Sequence, residues 1–281
     1  MRRSLGHAGS YLREHDRDRY LASLFVASPG REAVQALYAF NADVATVRDR
    51  AHQPAPGEVR LQWWADALAG EGHGNVRQNP LAAALLEAIE AYRLPAGPLL
   101  RLLEARRFDL YDDPMPDVAS FEGYAGETVS ILYQFAAMVL NGGEEVETGD
   151  AAGHLGVAHA LIGHLRAFGH NAAQGRLFLP WSVFAANGVH EAEIFAGTIS
   201  EGLLAAHAQL TEMAGDHLER AGQAIAALAP SLRPAFAQAA VLRRQLHMVA
   251  AQEETPFTTP PEPADWRKLA AMFLWVSRQR R

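Results

Sequence analysis

The chain has 281 residues, of which 49% are hydrophobic and 20% are charged, and this balance predicts a globular protein with an ample core. Its net charge of −7 argues against a nucleic-acid-binding protein. The absence of cysteine excludes disulfides and thiolate chemistry, which fits the cytoplasm. No apolar run reaches the ~20 residues of a transmembrane helix, and the N-terminus lacks the apolar stretch of a secretory signal.

Apolar residues recur at helical spacing along most of the chain, which predicts an all-α protein. We find no convincing strand pair and no linker between separate halves, so residues 1–281 form one expected domain. Residues 1–16 form an expected polar, solvated leader. Helices are expected at 20–27, 31–50, 80–92, 96–111, 118–140, 155–169, 191–196, 200–228, 232–252 and 265–281, with an irregular strap at 253–264.

The predicted second helix carries the sequence REAVQALYAFNADVATVRD, which contains Asp43 and Asp49. Six residues on a helix separate these carboxylates by ~120° around the axis and ~9 Å along it. They therefore cannot close on one metal ion in the usual way. Asp49 alone is a weak metal candidate, and its neighbours Arg48 and Arg50 make a local ion pair the favoured prediction.

The segment LGVAHALIGHLRAFGHNAAQGRLFLP, at 155–180, contains no acidic residue. Histidines lie in and beside it at spacings of five and six residues, which point successive side chains well over ~100° apart around a helix. They are therefore poor joint metal ligands, and we expect them to be solvated or locally hydrogen-bonded. They are His154, His159, His164 and His170.

Together these two segments resemble the signatures of the squalene/phytoene synthases, the head-to-head prenyltransferases. The second segment keeps the frame of its signature, including Arg166, Gly175 and Arg176. In that family, paired aspartates on two facing helices hold Mg²⁺ ions that neutralise a diphosphate. Here the aspartate positions hold Ala45, Thr46, Ala167 and Asn171. The resemblance implies an isoprenoid (terpenoid) synthase-like helical bundle with a central cavity, and lost metal ligands.

Within this family the chain resembles the branch that includes a mitochondrial respiratory complex I assembly factor. That resemblance implies a binding or assembly protein without magnesium-dependent prenyl transfer and without a cofactor. Its expected partner is a prenyl lipid or a respiratory-complex subunit. The alternative is an active prenyltransferase that uses Mg²⁺ to condense two prenyl diphosphates. A helical protein without any ligand is disfavoured because Arg166 and Arg176 are retained.

The resemblance also provides a set of candidate cavity residues, none of them assigned a catalytic role. A buried guanidinium without a partner is costly, on the order of several kcal/mol. We therefore expect Arg166 or Arg176 to pair with Asp43 or Asp49 across the cavity. The full candidate set is Tyr38, Asp43, Asp49, Arg166, Asn171 and Arg176.

Two further features leave alternatives open. The carboxylates Asp109, Asp112 and Asp113 lie at a predicted helix C-terminus, and a solvated helix end is favoured over a metal role. The segment 265–281 predicts a basic amphipathic helix that either docks on the bundle, which is favoured, or contacts the inner membrane as a peripheral anchor. Its expected apolar face consists of Trp266, Leu269, Met272, Phe273 and Val276.

Overall fold

A computed structural model describes residues 2–51, 53–72 and 74–279, with side chains from residue 5 onwards. These residues are helical or irregular, and no strand occurs among them, which confirms the all-α prediction. The helices are α1 (Arg2–His15), α2 (Arg17–Ser23), α3 (Gly30–Ala45), α4 (Val47–Arg50), α5 (Pro54–Ala69), α6 (Pro80–Tyr92), α7 (Ala96–Arg106), α8 (Val118–Ala125), α9 (Ile131–Leu140), α10 (Gly149–Arg166), α11 (Phe168–Ala172), α12 (Trp181–Ala186), α13 (Glu191–Phe195), α14 (Glu201–Ala227), α15 (Ala239–Ala250) and α16 (Asp265–Gln279).

Two helices, α3 and α10, form the centre of the bundle. Every residue of α3 from Ala33 to Val44 is buried, because most of its side chains are small or apolar and polar ones such as Gln35 and Asp43 are hydrogen-bonded inside the protein. It packs between α1 and α6, while α10 packs along the long helix α14. The helical cores of both predicted signature segments therefore lie inside the bundle, with a cavity between them.

The N-terminal helix α1 overturns the expected solvated leader at 1–16. Ala8 and Leu12 are fully buried, and Leu5 packs against the same core. These three residues are spaced by three and four positions, which places them on one face of a helix. Charged residues before and after these positions dominated the sequence pattern, and of these Arg13 and Glu14 are exposed.

Both expected long helices contain an interruption beside the cavity. The helix expected at 31–50 breaks at Thr46, whose hydroxyl donates hydrogen bonds to the carbonyls of Ala42 and Asp43 at 3.0 and 3.1 Å. The helix expected at 118–140 contains a π-helical turn at Gly126–Ser130 between α8 and α9. Such a turn adds one residue to a helical turn and is frequent at functional sites.

A close contact with α10 accompanies this π turn. A Cβ atom on Gly156 would lie 2.0 Å from Ser130 Oγ and 2.6 Å from the Ser130 backbone nitrogen. No side chain fits there, so glycine lets α10 approach the π turn closely. This contact fixes α10 against the wall of the cavity.

The C-terminal helix α16 docks on the bundle, as favoured from the sequence. Met272 and Val276 are buried in a small core with Leu21 and Val241. Trp266 and Phe273, which were expected on the same face, are 66% and 62% exposed instead. Within the described part of the chain, no helix has the length and apolar character needed to cross a membrane.

Candidate functional site

A cavity of about 370 Å³ lies between the two signature segments. Ala45 and Thr46 line it from the end of α3, and Gly163, Ala167 and Asn171 line it from α10 and α11. The two sets of positions that the family resemblance singled out therefore face one space. None of these five side chains is charged, so the charge of the cavity comes from other residues.

Arginines supply most of that charge. Arg19, Arg48, Arg106 and Arg176 line the cavity together with Asp16, Asp49 and Asp109. Arg19 is buried and pairs with Asp16 at 2.7 Å, from Nη1 to Oδ2. Arg48 bonds to the exposed carboxylate of Asp112 at 2.9 Å. Each cationic group comes from a different helix or loop, and each meets at least one protein carboxylate.

The most buried part of this network joins α7 to α8. Arg106 Nη1 donates to Asp109 at 3.0 Å and to the Tyr124 hydroxyl at 2.7 Å, and that hydroxyl donates to Asp109 Oδ1 at 2.6 Å. Burial raises the pKa of Tyr124 well above its usual value, so the phenol stays protonated. Asp109 is only 9% exposed, so the expected solvated helix end is wrong for this residue, whereas Asp112 and Asp113 are exposed.

The expected ion pair across the cavity is present. Arg176 Nη1 lies 3.3 Å from Asp49 Oδ1, which confirms that an arginine of the second segment pairs with an aspartate of the first. The Asp49 side chain is 61% exposed and that of Arg176 is 17% exposed, so the pair lies at the mouth of the cavity. Asn171 also lines the cavity, and its carbonyl accepts the backbone N–H of Arg176 at 3.0 Å.

Asp43, by contrast, does not line the cavity. Its side chain is buried, and its carboxylate accepts hydrogen bonds from Arg50 and Arg60 at 2.8 and 2.9 Å and from the Trp64 indole at 2.9 Å. Burial opposes ionisation, but these hydrogen bonds outweigh it and lower the pKa of Asp43 below its usual value. Asp43 therefore ties α3 to α5, away from the residues that line the cavity.

Tyr38 is likewise a core residue. It is 3% exposed, and the guanidinium of Arg19 lies 5.7 Å from its ring centroid. Burial raises the pKa of Tyr38 to about 12. The resemblance placed this residue in the cavity, whereas the structure places it behind Arg19, where it supports that arginine from the core side.

Arg166 faces a second polar pocket, of about 350 Å³, which adjoins the first and shares His159 and Gly163 of α10 with it. It pairs with Glu262 of the strap at 253–264, and Glu262 also pairs with Lys268 of α16. Lys268 is 3% exposed and meets Asp18 as well. Of the two arginines, Arg176 alone therefore makes the expected pair across the cavity, and Arg166 pairs with the strap instead.

Hydrogen bonds were expected for the histidines, and His154, His159 and His170 each make one, whereas His164 packs against aromatic rings instead. His159 Nδ1 lies 2.9 Å from the Tyr133 hydroxyl, and His164 stacks on Phe178 with ring centroids 5.1 Å apart. Burial and the nearby Arg19 lower the pKa of His159 well below its usual value. Burial and Arg106 lower the pKa of His164 to about 4. Both rings are therefore neutral near pH 7.

The donor set of the cavity does not fit magnesium. Mg²⁺ requires several oxygen ligands, usually carboxylates with phosphate and water. Asp109 and Asp16 already pair with arginines, and Asp49 is the remaining carboxylate at the mouth, beside Arg176. Among the described residues, no group of three or more His, Asp or Glu side chains could hold a metal ion.

Several cavity residues have no counterpart among the candidates predicted from the sequence. Arg106 and Tyr124 are 18 positions apart, so no local spacing reveals that they meet. Arg19 lies in a run of alternating charges that predicts only a solvated surface. Asp109 was noted for its spacing, and an arginine three residues before it was the one available sign of a buried pair.

Comparison with known proteins supports the same fold. A family model described as squalene/phytoene synthase matches residues 12–270. The crystal structure of a dehydrosqualene synthase in complex with ligand superposes with a TM-score of 0.84 at 20% identity, over 99% of this chain and 96% of that one. This likeness confirms the predicted isoprenoid-synthase-like helical bundle.

Two kinds of relative are similar in sequence. NADH dehydrogenase (ubiquinone) complex I, assembly factor 6 of Rattus norvegicus is 28% identical over 238 residues, which cover 85% of this chain and 71% of that protein. Phytoene synthase 1, chloroplastic, of Arabidopsis thaliana is 24% identical over 274 residues, which cover 95% of this chain and 64% of that protein. The match to assembly factors was expected from the signature segments.

Proposed function

The chain belongs to the squalene/phytoene synthase family, and we propose that it is an atypical member that acts as a binding or assembly protein without magnesium-dependent prenyl transfer. One observation carries this proposal. Where the family resemblance expects metal-ligating aspartates, the cavity is lined by Ala45, Thr46, Ala167 and Asn171. A carboxylate lost from a metal cluster removes coordination that alanine cannot replace.

The charge that remains suits an anion better than a cation. Four arginines line the cavity, against three aspartates. This excess of guanidinium groups favours an acceptor with several anionic oxygens, because such pairs form strong charge-assisted hydrogen bonds. The proposed ligand is a prenyl lipid with a phosphate or diphosphate head, held by arginine instead of by Mg²⁺.

A binding experiment in the presence of a chelator tests this ligand. Farnesyl diphosphate should bind with EDTA present, as measured by isothermal titration calorimetry. Arg176→Gln should weaken binding about tenfold or more, since a charged hydrogen-bond donor is lost. Arg101→Gln is the matched control, because Arg101 is exposed and pairs with Glu127 on the surface. Binding that requires Mg²⁺, or equal affinity in the Arg176 variant, would contradict the proposal.

The proposed protein partner is a subunit of a respiratory complex. The relatives named as complex I assembly factor 6 support this class of partner. The corresponding place of action is the cytoplasm, at the surface of the inner membrane. Deleting the gene in the native host should lower the amount of assembled complex I on native gels, and the intact gene should restore it. Normal assembly in the deletion strain would contradict this role.

The alternative function is head-to-head condensation of two prenyl diphosphates. The match to phytoene synthase 1 and the fold shared with a dehydrosqualene synthase favour it. It predicts a C30 or C40 hydrocarbon when the protein is incubated with farnesyl or geranylgeranyl diphosphate and Mg²⁺. The proposed binding role predicts no such product, so a product assay separates the two functions.

A further inference from the structure

The outward face of α16 carries large apolar side chains. Trp266 is 66% exposed, Phe273 62% and Leu274 54%. At about 100° per residue, these three and the exposed Ala270 share one side of the helix. The other exposed large apolar residues of the described chain, including Val59, Tyr111 and Ile199, lie on separate elements. Single exposed apolar residues are common, whereas a row of them on one helix indicates a contact surface.

Basic groups border this face. Arg267 and Arg278 are exposed along one edge, and the Arg267 guanidinium lies 5.2 Å from the Trp266 ring centroid. The acidic residue of the helix, Asp265, pairs with Arg17 at 2.5 Å. Arg280 and Arg281 follow in the sequence and lie outside the described residues. The helix thus concentrates positive charge in a chain whose net charge is −7.

The opposite face of α16 is fixed to the bundle. Met272 and Val276 are buried with Leu21 and Val241, and the Lys268 ammonium is buried between Asp18 and Glu262. If α16 turned so that its exposed aromatic residues entered this core, Met272 would leave the core and Lys268 would lose its pairs with Asp18 and Glu262. The outward apolar face is therefore a stable part of the surface.

We propose that this face, formed by Trp266, Ala270, Phe273 and Leu274 with Arg267 and Arg278 at its edge, binds the surface of an anionic lipid membrane. Tryptophan and phenylalanine with adjacent basic residues are typical of helices that lie in the membrane interface. The indole and the apolar side chains enter the boundary between headgroups and acyl chains, and the guanidinium groups pair with lipid phosphates.

A protein partner fits this face less well. A stable protein interface buries ~800 Å² on each partner, with a well-packed apolar centre. Three large side chains on a single helix fall short of that area. A second copy of this chain would also need a complementary apolar patch, and the remaining exposed apolar residues are scattered. A lipid surface needs no such complement, and its negative charge matches the arginines.

Vesicle co-sedimentation tests the proposal with the full chain. The protein should bind vesicles that contain phosphatidylglycerol, bind phosphatidylcholine vesicles much less, and lose binding as salt rises. A combined Trp266→Ser, Phe273→Ser and Leu274→Ser variant should bind about tenfold or more weakly, because its apolar contact is removed. The control variant, Val59→Ser with Ile199→Ser, removes exposed apolar residues elsewhere and should bind as the wild type does.

Two further measurements identify the surface. Arg267→Gln with Arg278→Gln should lower binding to anionic vesicles about tenfold. Brominated phosphatidylglycerol should quench part of the tryptophan fluorescence of the wild type, and Trp266→Phe should remove that part. This second readout does not depend on the folding of a multiple variant.

Two outcomes would overturn the proposal. In the first, the wild type does not bind anionic vesicles; in the second, the triple serine variant binds them as well as the wild type does. A concentration-dependent dimer in sedimentation velocity, lost in the triple variant and accompanied by no vesicle binding, would identify the face as an interface between copies. The inference is independent of the proposed cavity function, because neither the arginines nor the aspartates of the cavity take part in it.

Discussion

Asp43 and Asp49 lie six positions apart, but they contribute to stability through different surroundings. Asp43 is 2% exposed and accepts hydrogen bonds from four side chains, Tyr11, Arg50, Arg60 and Trp64. Asp49 is 61% exposed and has one charged partner, Arg176, at 3.3 Å. Burial and the number of hydrogen bonds determine the cost of removing each charge, so Asp43 is the more important residue for folding.

We expect Asp43→Asn to lower the free energy of unfolding by about 2–3 kcal/mol, because its donors lose a charged acceptor in a buried position. Asp49→Asn should cost less than about 1 kcal/mol, as is usual for exposed ion pairs. Urea unfolding of both variants measures the difference. Added Mg²⁺ should not restore either loss. Equal costs for the two variants would contradict this assignment of their surroundings.

The buried histidines predict a dependence of stability on pH. The pKa values of His164 and His207 are about 4 in the folded protein, because burial disfavours the charged ring. In the unfolded chain a histidine titrates near ~6.5, so the unfolded state binds more protons between these values. Each ring therefore contributes stability at neutral pH that is lost as pH falls from ~6.5 towards 4, at up to about 1.4 kcal/mol per pH unit.

Substituting one of these rings tests this relation. His164→Gln should make the loss of unfolding free energy between about pH 6.5 and pH 5 smaller by about 1 kcal/mol per pH unit. His170→Gln is the control, because His170 is exposed and bonds to Gln174 on the surface. An unchanged pH slope in the His164 variant would show that this ring does not titrate as its burial implies.

Two glycines of α10 illustrate how helix packing depends on single positions. A Cβ atom on Gly156 would lie 2.7 Å from the Ser130 Cα atom, in backbone that cannot move freely. A Cβ atom on Gly163 would meet nothing within 4 Å, because this residue lines the cavity. The two positions lie on the same helix, so they differ mainly in their neighbours.

Gly156→Ala should destabilise the fold by about 1–3 kcal/mol, since the new methyl group forces α10 away from the π turn. Gly163→Ala should stabilise it by roughly 0.5–1 kcal/mol, because alanine favours the helix and space is available. Thermal unfolding of the two variants gives the comparison. A stabilising Gly156→Ala would mean that α10 and the π turn are not in close contact.

The docked face of α16 leads to a separate prediction. Met272→Ala should cost about 2–4 kcal/mol, because Met272 is fully buried beneath the helix. Phe273→Ala, at the neighbouring exposed position, should change the free energy of unfolding by less than about 0.5 kcal/mol. Chemical denaturation measures both values. Similar effects in the two variants would show that α16 does not dock through the Met272 side.

The sequence predicted most helices of the fold because their apolar residues follow helical spacing over ten or more positions. It misplaced residues 1–16, where charges obscured the short pattern of Leu5, Ala8 and Leu12. It also missed the break at Thr46, which depends on a side-chain hydrogen bond to the preceding turn. The helix expected at 155–169 begins earlier, at Gly149, and ends at Arg166.

The candidate site was predictable only where the two signature segments face each other. The Arg176–Asp49 pair followed from the expected architecture, and the structure contains it. The partner of Arg166 did not follow, because Glu262 is 96 positions away in a strap without regular structure. Asp43 could not be assigned to the core from sequence alone, since three of its four partners, Tyr11, Arg60 and Trp64, lie on α1 and α5, which the pattern did not place beside it.

As a whole, the protein keeps a helical bundle like that of the synthases, together with its cavity. The charged side chains that line this cavity form ion pairs within the protein. The arrangement favours an anion held by arginine over a diphosphate held by metal. The proposed membrane face on α16 places this bundle at a lipid surface, where both a prenyl lipid and a respiratory subunit are encountered. The proposed ligand, partner and location are therefore mutually consistent.

Calorimetric titration of Mg²⁺ into the protein, with farnesyl or geranylgeranyl diphosphate present, tests the loss of the metal site most directly. We expect no specific binding of several ions, because the aspartate positions hold Ala45, Thr46, Ala167 and Asn171. A parallel titration without protein corrects for Mg²⁺ that binds the diphosphate itself. Saturable binding of two or more Mg²⁺ ions per protein, with a prenyl hydrocarbon as product, would contradict the proposed function and favour the active synthase.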